Sequence, residues 1–222
     1  MARHRLATLL TIGCGLSAVA AGWLLPGVPR PGPADAGLLP AGVRGAATGA
    51  VSAASPPTRV RGPKGLDAAV VPVAAGADGT LALPQGVRTG GWWALGAAVG
   101  ASRGTALIAG HVDTREDGLG PFAALHRTPL GARVEVAGAD GRVRVYRVAA
   151  RRTYRQERLP ADLFTDDGPH RLVLVTCAGP YDRAAGRYQR NLVLYATPVA
   201  PETPADQTSG PREGPRNGTR HP

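Results

Sequence analysis

The feature that most constrains the fold is a run of four apolar residues, Leu172–Val175, followed by Thr176 and Cys177. Gly168-Pro169 and the run from Ala178 to Pro180 bound it on either side. A short continuous apolar segment between turn residues predicts a buried strand. Cys177, at the end of this strand, is the only cysteine outside the N-terminal apolar stretch. A thiol at a strand end is held rigidly and can still meet a substrate. Packing as a small apolar side chain is the alternative interpretation.

A second apolar segment, Thr105–Ala109, delivers a histidine at its end, in the sequence Gly110-His111-Val112-Asp113. A cysteine nucleophile needs a partner that handles its proton and a donor that stabilises the oxyanion. His111 can be the acid/base partner. Arg190, thirteen residues after Cys177, can be the donor, because a hairpin of that length returns the chain beside its starting strand. His111 and Cys177 are far apart in the sequence, so their pairing depends on the fold.

Composition excludes several classes of protein. The net charge is +10, yet no dense basic stripe or recognisable module accompanies it, so no nucleic-acid partner is expected. With one cysteine in the N-terminal stretch and one at Cys177, no intramolecular disulfide is expected. No set of His, Cys, Asp and Glu residues has metal-ligand spacing, so neither a metal nor another cofactor is predicted.

The N-terminal stretch Leu6–Leu25 is mainly apolar and, as a helix, about 30 Å long, enough to cross a bilayer. Arg3 and Arg5 precede it, which predicts a cytoplasmic N-terminus and an extracellular remainder. We therefore expect residues 1–25 to form a transmembrane anchor and the protein to be a single-pass protein of the cell membrane. Two alternatives stay open. Ala18-Val19-Ala20 resembles a signal-peptidase site, which would release a secreted protein, and Thr11–Cys14 resembles a lipobox.

The rest of the chain divides by composition. Residues 26–56 are rich in Pro, Gly and Ala and are interpreted as a linker, residues 57–200 as the folded domain, and residues 201–222 as a disordered tail. Asp140-Gly141 is a hairpin signal, and short helical turns are expected at Phe122–Leu125 and Ala161–Leu163. Many short strands predict an all-β barrel or sandwich. The strand candidates are Val70–Val73, Leu81–Leu83, Thr105–Ala109, Arg133–Val136, Val143–Ala150, Leu172–Thr176 and Leu192–Ala196.

Several of these segments resemble the sortases, the membrane-anchored cysteine transpeptidases of Gram-positive surfaces, and most of all their class F (class E/F-like) actinobacterial members. The resemblance covers residues 57–199. The segments that carry it are Pro57–Val60, Val70–Val73, Asp78–Leu81, Gly91–Trp93, Gly110–Asp113, Leu174–Cys177 and Tyr188–Tyr195.

The resemblance implies a closed eight-stranded β-barrel and a defined reaction. Cys177 would attack the Thr–Gly bond of an LPxTG-like C-terminal sorting signal, with His111 as general acid/base and Arg190 as oxyanion and substrate donor. The thioester would be resolved by a cell-wall precursor amine or a pilin amine. The implied partners are secreted proteins with sorting signals, that acceptor amine and the membrane. Thr176 and Asp113 are predicted to lie at the substrate.

The sequence departs from the family pattern at three positions. Val173 and Ala178 replace residues common around the cysteine, at little expected cost. In many relatives the arginine of the final strand stands one position earlier, where this chain has Gln189. Because strand side chains alternate between faces, one position decides where the guanidinium points.

Other functions are distinguished by motif order. An L,D-transpeptidase would have its histidine just before the cysteine, and an NlpC/P60-type peptidase would have the cysteine first. Another exported Cys/His acyltransferase or peptidase, and a non-catalytic barrel that binds surface proteins, stay as alternatives. His126 and His170 lack partner spacing and are not expected to act in catalysis.

Overall fold

The computed structural model describes residues 34–40, 53–75 and 81–200. Eight strands form its framework, numbered here in chain order: β1 Pro57–Arg61, β2 Asp67–Val73, β3 Thr89–Trp93, β4 Thr105–Ala109, β5 Arg133–Gly138, β6 Val143–Arg155, β7 Arg171–Asp182 and β8 Arg187–Pro198. Short 3₁₀ helices span Pro63–Gly65, Pro121–Arg127 and Ala161–Leu163.

The sheet closes on itself. Its strands follow the order β6-β8-β7-β4-β3-β2-β1-β5, and β5 pairs in turn with β6. Closure removes the exposed edges that an open sheet would present. The predicted all-β, closed eight-stranded barrel with short helical turns is therefore confirmed. The predicted anchor, residues 1–25, lies outside the described residues. Among the residues that the structure describes, none of the helices could span a bilayer.

One strand prediction is wrong and two strands were missed. In place of a strand at Leu81–Leu83 there is a single bridge between Leu81 and Ala75. Pro84 follows directly and lacks the amide hydrogen needed to extend a ladder. Neither β1 nor β3 was among the candidates. Their turn-forming residues, Pro57 in β1 and Gly90-Gly91 in β3, weaken the usual strand signal.

The apolar run that begins β7 is buried on both of its faces. Leu172 and Leu174 point into the barrel, where a cluster of side chains from all eight strands forms the core. Val173 and Val175 point outward into a second buried cluster, which includes Leu163 from the last 3₁₀ helix. A strand covered on both sides reads as a continuous apolar run instead of an alternating one.

The 3₁₀ helix Pro121–Arg127 packs against the strand end that carries the histidine motif. Its Phe122 is fully buried. A Cβ at Gly110 would lie 2.2 Å from the Phe122 ring, and one at Gly90 would lie 2.8 Å from it. Only glycine leaves room for the ring at these two positions. Gly110 therefore sets how closely the end of β4 approaches this helix.

Part of the predicted linker contacts the barrel. Ala36 and Gly37 pair with β6, and Arg152 donates hydrogen bonds to both of their carbonyl oxygens, at 2.7 and 2.8 Å. Ser55 exchanges backbone hydrogen bonds with Val99. The boundary at residue 57 stays a prediction, although residues on its N-terminal side take part in the packing. The predicted tail, residues 201–222, lies outside the described residues.

Candidate active site

The parallel pairing of β4 and β7 aligns the two strand ends that carry the histidine and the cysteine. The ladder ends with Ala109 opposite Val175. Beyond it, the Gly110 N–H donates to the Val175 carbonyl at 3.0 Å, and the Thr176 hydroxyl donates to the Gly110 carbonyl at 2.8 Å. Continuing this register by two residues places His111 beside Cys177. Neighbouring strands lie about 4.8 Å apart, and both side chains follow the same face of the sheet, so the register brings the histidine and the thiol to adjoining positions.

Thr176 holds these two strand ends together. Its side chain is 2 % exposed, and its hydroxyl is directed at the Gly110 carbonyl. That contact fixes the backbone one residue before the thiol. The predicted contact of Thr176 with substrate stays a prediction.

The Cys177 thiol is partly buried and points to the outer face of β7, the face of Val173 and Val175. Burial raises the pKa of the Cys177 thiol, and the negative charge of Asp113 raises it further. The protonated thiol is therefore the form favoured at neutral pH. A base has to accept its proton as the sulfur attacks.

Among the residues that the structure describes, only one ring nitrogen of His111 has a hydrogen-bond partner, which leaves the other for that task. Its Nε2 lies 3.1 Å from the carbonyl oxygen of Pro84. A carbonyl oxygen only accepts, so in the neutral ring Nε2 carries the hydrogen and donates it. The lone pair is then on Nδ1, which can accept a proton. The contact with Pro84 also fixes the orientation of the ring.

Asp113 lies near the thiol and has a partner of its own. The Tyr188 hydroxyl donates to Asp113 Oδ2 at 2.6 Å. Burial raises the pKa of Tyr188 to about 12, with a further contribution from the Asp113 hydrogen bond. The tyrosine therefore stays protonated and orients the carboxylate. A carboxylate accepts several hydrogen bonds, and the contact of Asp113 with substrate stays a prediction.

Replacing Asp113 by Asn is expected to lower the pKa of the Cys177 thiol, because the substitution removes a negative charge that disfavours the thiolate. Iodoacetamide should then alkylate Cys177 faster at every pH below the thiol pKa, and the midpoint of the rate–pH curve should move to lower pH. Glu116→Gln, an exposed acid in the same loop, is the matched control and should leave the curve in place. An unchanged or raised midpoint in Asp113→Asn would contradict this effect.

A second histidine contacts the nucleophile's backbone. His126, in the 3₁₀ helix Pro121–Arg127, has its Nε2 3.0 Å from the Cys177 carbonyl, to which it donates. Sequence reasoning missed this contact, and no spacing signal could have revealed it. His170 lies elsewhere: its Nδ1 donates to the Gly104 carbonyl and its Nε2 accepts from the Tyr146 hydroxyl. Burial lowers the pKa of His170, which favours this neutral, structural state.

The strand register separates Arg190 from the thiol face. Cys177 pairs with Asn191, and Arg190 pairs with Ala178. Side chains of directly paired residues share a face, so Asn191 lies on the face of the thiol, while Arg190 lies on that of Ala178. The Arg190 side chain runs past Gly179, where a Cβ would lie 3.2 Å from its methylene groups. Arg190 thus begins next to the nucleophile but on the other face of the sheet.

Asn191 is a polar candidate that sequence reasoning missed. It is 9 % exposed and directly opposite Cys177, and its Nδ2 donates a long hydrogen bond of 3.4 Å to the Gln156 carbonyl. The strand prediction did not identify it, because the register between β7 and β8 shifts between Ala178 and Tyr181.

A cavity of about 290 Å³ opens beside these strand ends. It lies between the end of β6 and the β7–β8 hairpin, and its lining is mostly polar. The lining residues are Arg155, Gln156, Glu157, Asp182, Arg187, Tyr188, Gln189 and Arg190.

Comparison with known proteins gives a family. No curated protein matches the chain. Among solved structures, a lid mutant of sortase C1 from Streptococcus agalactiae is 18 % identical over 66 % of this chain and 70 % of that one, with a TM-score of 0.49. Sortase A from Corynebacterium diphtheriae is 17 % identical over 68 % and 64 %, at 0.48. Sortase C-1 from Actinomyces oris is 17 % identical over 64 % and 72 %, at 0.49.

The chain thus spans about two thirds of the length of these structures. The sequence profile described as Sortase domain matches residues 64–199, which is more than half of the chain and includes every strand from β2 to β8. On that match, the chain belongs to the sortase family.

Proposed function

We propose that this protein is a cysteine transpeptidase that cleaves an LPxTG-like sorting signal between Thr and Gly and transfers the acyl group to an amine. The observation that carries the proposal is the parallel register of β4 and β7, which brings His111 and Cys177 to adjoining strand ends in a chain of the sortase family. The acceptor is a cell-wall precursor or pilin amine, and the subtype is class F-like.

The first step forms a thioester. The Cys177 sulfur attacks the threonine carbonyl carbon as the thiol proton passes to His111, and a tetrahedral oxyanion forms. The C–N bond then breaks, and the histidinium returns its proton to the departing glycine amine. In the second step the acceptor amine attacks the thioester carbonyl and loses a proton to His111. The C–S bond breaks and the thiol is regenerated.

The face of the sheet that carries the thiol suits an apolar peptide. Leu107, Ala109, Val173 and Val175, all from β4 and β7, are already buried in the apolar cluster on this face. Partly buried leucines from the flanking loops, Leu81, Leu83 and Leu159, pack at its margin. The leucine and proline of an LPxTG-like signal would find apolar contacts at these partly buried leucines, while the scissile carbonyl lies at Cys177.

Peptide libraries test the proposal. The purified full-length chain is incubated with LPxTG- and LAxTG-like peptides, and the intact protein is examined by mass spectrometry. The expected result is an adduct with the mass of the peptide's N-terminal part, mapped to Cys177 and released by hydroxylamine. If no peptide of either series acylates Cys177, the proposed function is wrong.

Arg190 is proposed as the donor to the oxyanion, in keeping with the resemblance, although its strand position faces away from the thiol. Loss of one such donor costs about 10²–10³-fold in rate, so Arg190→Ala should slow acylation by that factor. Arg190→Lys should be impaired too, because the planar fork is lost. Arg187, which pairs with Glu157 at 2.8 Å, and the exposed Arg183 provide matched Ala variants.

Stopped-flow measurement of acylation across these variants decides the assignment. If Arg190→Ala stays within a few-fold of wild type, Arg190 is not the donor. A simultaneous collapse in Asn191→Ala would transfer the role to the amide opposite the thiol.

The proposed location is the cell membrane, with the N-terminus inside and the barrel outside. The apolar stretch Leu6–Leu25 and its preceding arginines support it, and the alternative is a cleaved signal with secretion. Cell fractionation distinguishes them, since a cleaved protein would be found in the medium and would lack residues 1–20.

A further inference from the structure

Two arginines face each other across β6 and β8, which are neighbouring strands of the barrel. Arg155 ends β6, and its cross-strand partner on β8 is Arg190. Directly paired side chains lie on the same face with their Cβ atoms about 5 Å apart, and like charges in this arrangement repel each other. Both arginines line the 290 Å³ cavity beside the nucleophile strand.

Neither guanidinium is neutralised. Across residues 34–40, 53–75 and 81–200, no side chain forms an ion pair or hydrogen bond with Arg155 or Arg190, and both are exposed. The acids of the same cavity are already engaged. Glu157 pairs with Arg187 at 2.8 Å, and Asp182 accepts the Ala184 and Ala185 amides of the hairpin turn at 3.0 Å.

A planar guanidinium pair of this kind is suited to a carboxylate. Each fork presents parallel N–H donors that match the two oxygens of one carboxylate group. An anion between the two arginines would also remove their mutual repulsion. A lone exposed arginine is well solvated and needs no ligand. Two arginines directly opposite each other in a concave site favour an anionic ligand between them.

The two arginines are placed to act on a substrate of the reaction. Arg190 pairs with Ala178, the residue after the nucleophile, and Arg155 lies one strand further away. Two strand spacings amount to about 10 Å, a distance that a substrate bound at Cys177 can cover. The arginines lie on the face opposite the thiol, so a substrate at Cys177 would reach them around the end of the sheet.

We propose that Arg155, beside Arg190, forms a subsite for a carboxylate on the incoming amine acceptor, and so selects acceptors that carry a carboxylate near the reactive amine. This inference rests on the proposed transpeptidase function. An acidic side chain of the sorting-signal peptide is the other source of the same chemistry.

The experiment varies Arg155 and the charge of each substrate separately. The two amine acceptors are triglycine and triglycinamide. The two sorting-signal peptides share one LPxTG-like sequence and carry Glu or Gln at its variable position. The proteins are wild type, Arg155→Gln, Arg155→Lys and the control Arg142→Gln. Arg142 is exposed in the β5–β6 turn, outside the cavity. Circular dichroism verifies that each variant is folded.

Wild type should use triglycine about tenfold more efficiently than triglycinamide, as expected for one charge-assisted hydrogen bond. Arg155→Gln should lose that preference while its rate with triglycinamide stays within twofold, and Arg155→Lys should keep part of it. Arg142→Gln should match wild type. If only the Glu peptide reacts faster than its Gln counterpart, and Arg155→Gln loses that difference, Arg155 binds a carboxylate of the sorting-signal peptide. That result would overturn the assignment of the subsite to the amine acceptor.

The proposed subsite is overturned if wild type reacts equally fast with both amines and with both peptides. It is also overturned if the preference for triglycine survives in Arg155→Gln. Thioester formation at Cys177 is measured without any acceptor, so a failure of the proposed function is visible separately. In that case calorimetric titration of triglycine and triglycinamide into wild type and Arg155→Gln still tests whether Arg155 binds the carboxylate. Equal affinities for the two amines in wild type overturn the proposal.

Discussion

Cys177→Ala is expected to abolish both peptide cleavage and thioester formation. The sulfur is the atom that attacks the carbonyl, and alanine offers no nucleophile in its place. Cys177 is also the only cysteine among the residues that the structure describes. Removing the nucleophile of a covalent mechanism leaves only what binding and the oxyanion donor contribute, so turnover should fall by several orders of magnitude. Product formation is followed by chromatography and the acyl adduct by intact-protein mass spectrometry.

Cys14→Ala is the control, since Cys14 lies in the N-terminal apolar stretch, and it should keep full activity toward soluble peptides. The Cys177→Ala protein should fold normally, because a small side chain replaces a small one at a partly buried position. Its circular dichroism spectrum should match that of wild type. Persistent peptide cleavage by folded Cys177→Ala would rule out the mechanism.

The barrel was predictable because its central strands are covered on both faces. Leu172–Val175 forms the start of β7, between β4 and β8, and buries alternate residues in two different clusters. That double burial turns an alternating pattern into a continuous apolar run, which sequence inspection detects readily. Because β4 and β7 are both recognisable as apolar runs, the residues at their ends can be located in the sequence. His111 and Cys177 are therefore predictable as a pair even though the alignment of the two strands is not.

The faces of the final strand were not predictable, because register depends on irregularities. The β7–β8 pairing shifts between Ala178 and Tyr181, and hairpin length alone does not reveal where such a shift falls. A one-residue shift exchanges the two faces of a strand. Spacing in the sequence therefore favours Arg190, whereas the structure places Asn191 opposite the thiol. The contact from His126 to the Cys177 carbonyl joins residues 51 positions apart, and only the tertiary fold creates it.

His111→Ala is expected to lower turnover by about 10²–10⁴-fold, the usual value of general acid–base catalysis. The size of the effect follows from the state of the thiol. Burial and Asp113 raise the pKa of Cys177, so most molecules hold a protonated thiol at neutral pH and need a base during attack. His111 supplies Nδ1 for that purpose, because its Nε2 donates to the Pro84 carbonyl.

The pH dependence separates this role from a structural one. Without His111, attack depends on thiol molecules that have already ionised, so the rate of acylation should rise with pH until the thiolate predominates. The ratio of the wild-type acylation rate to that of His111→Ala should therefore fall toward one as pH increases. His126→Ala is the matched control: it loses a backbone contact to Cys177 but no proton acceptor, so its ratio to wild type should stay constant with pH. A His111→Ala ratio that stays equally constant would show that His111 orients the strand ends and does not move the proton.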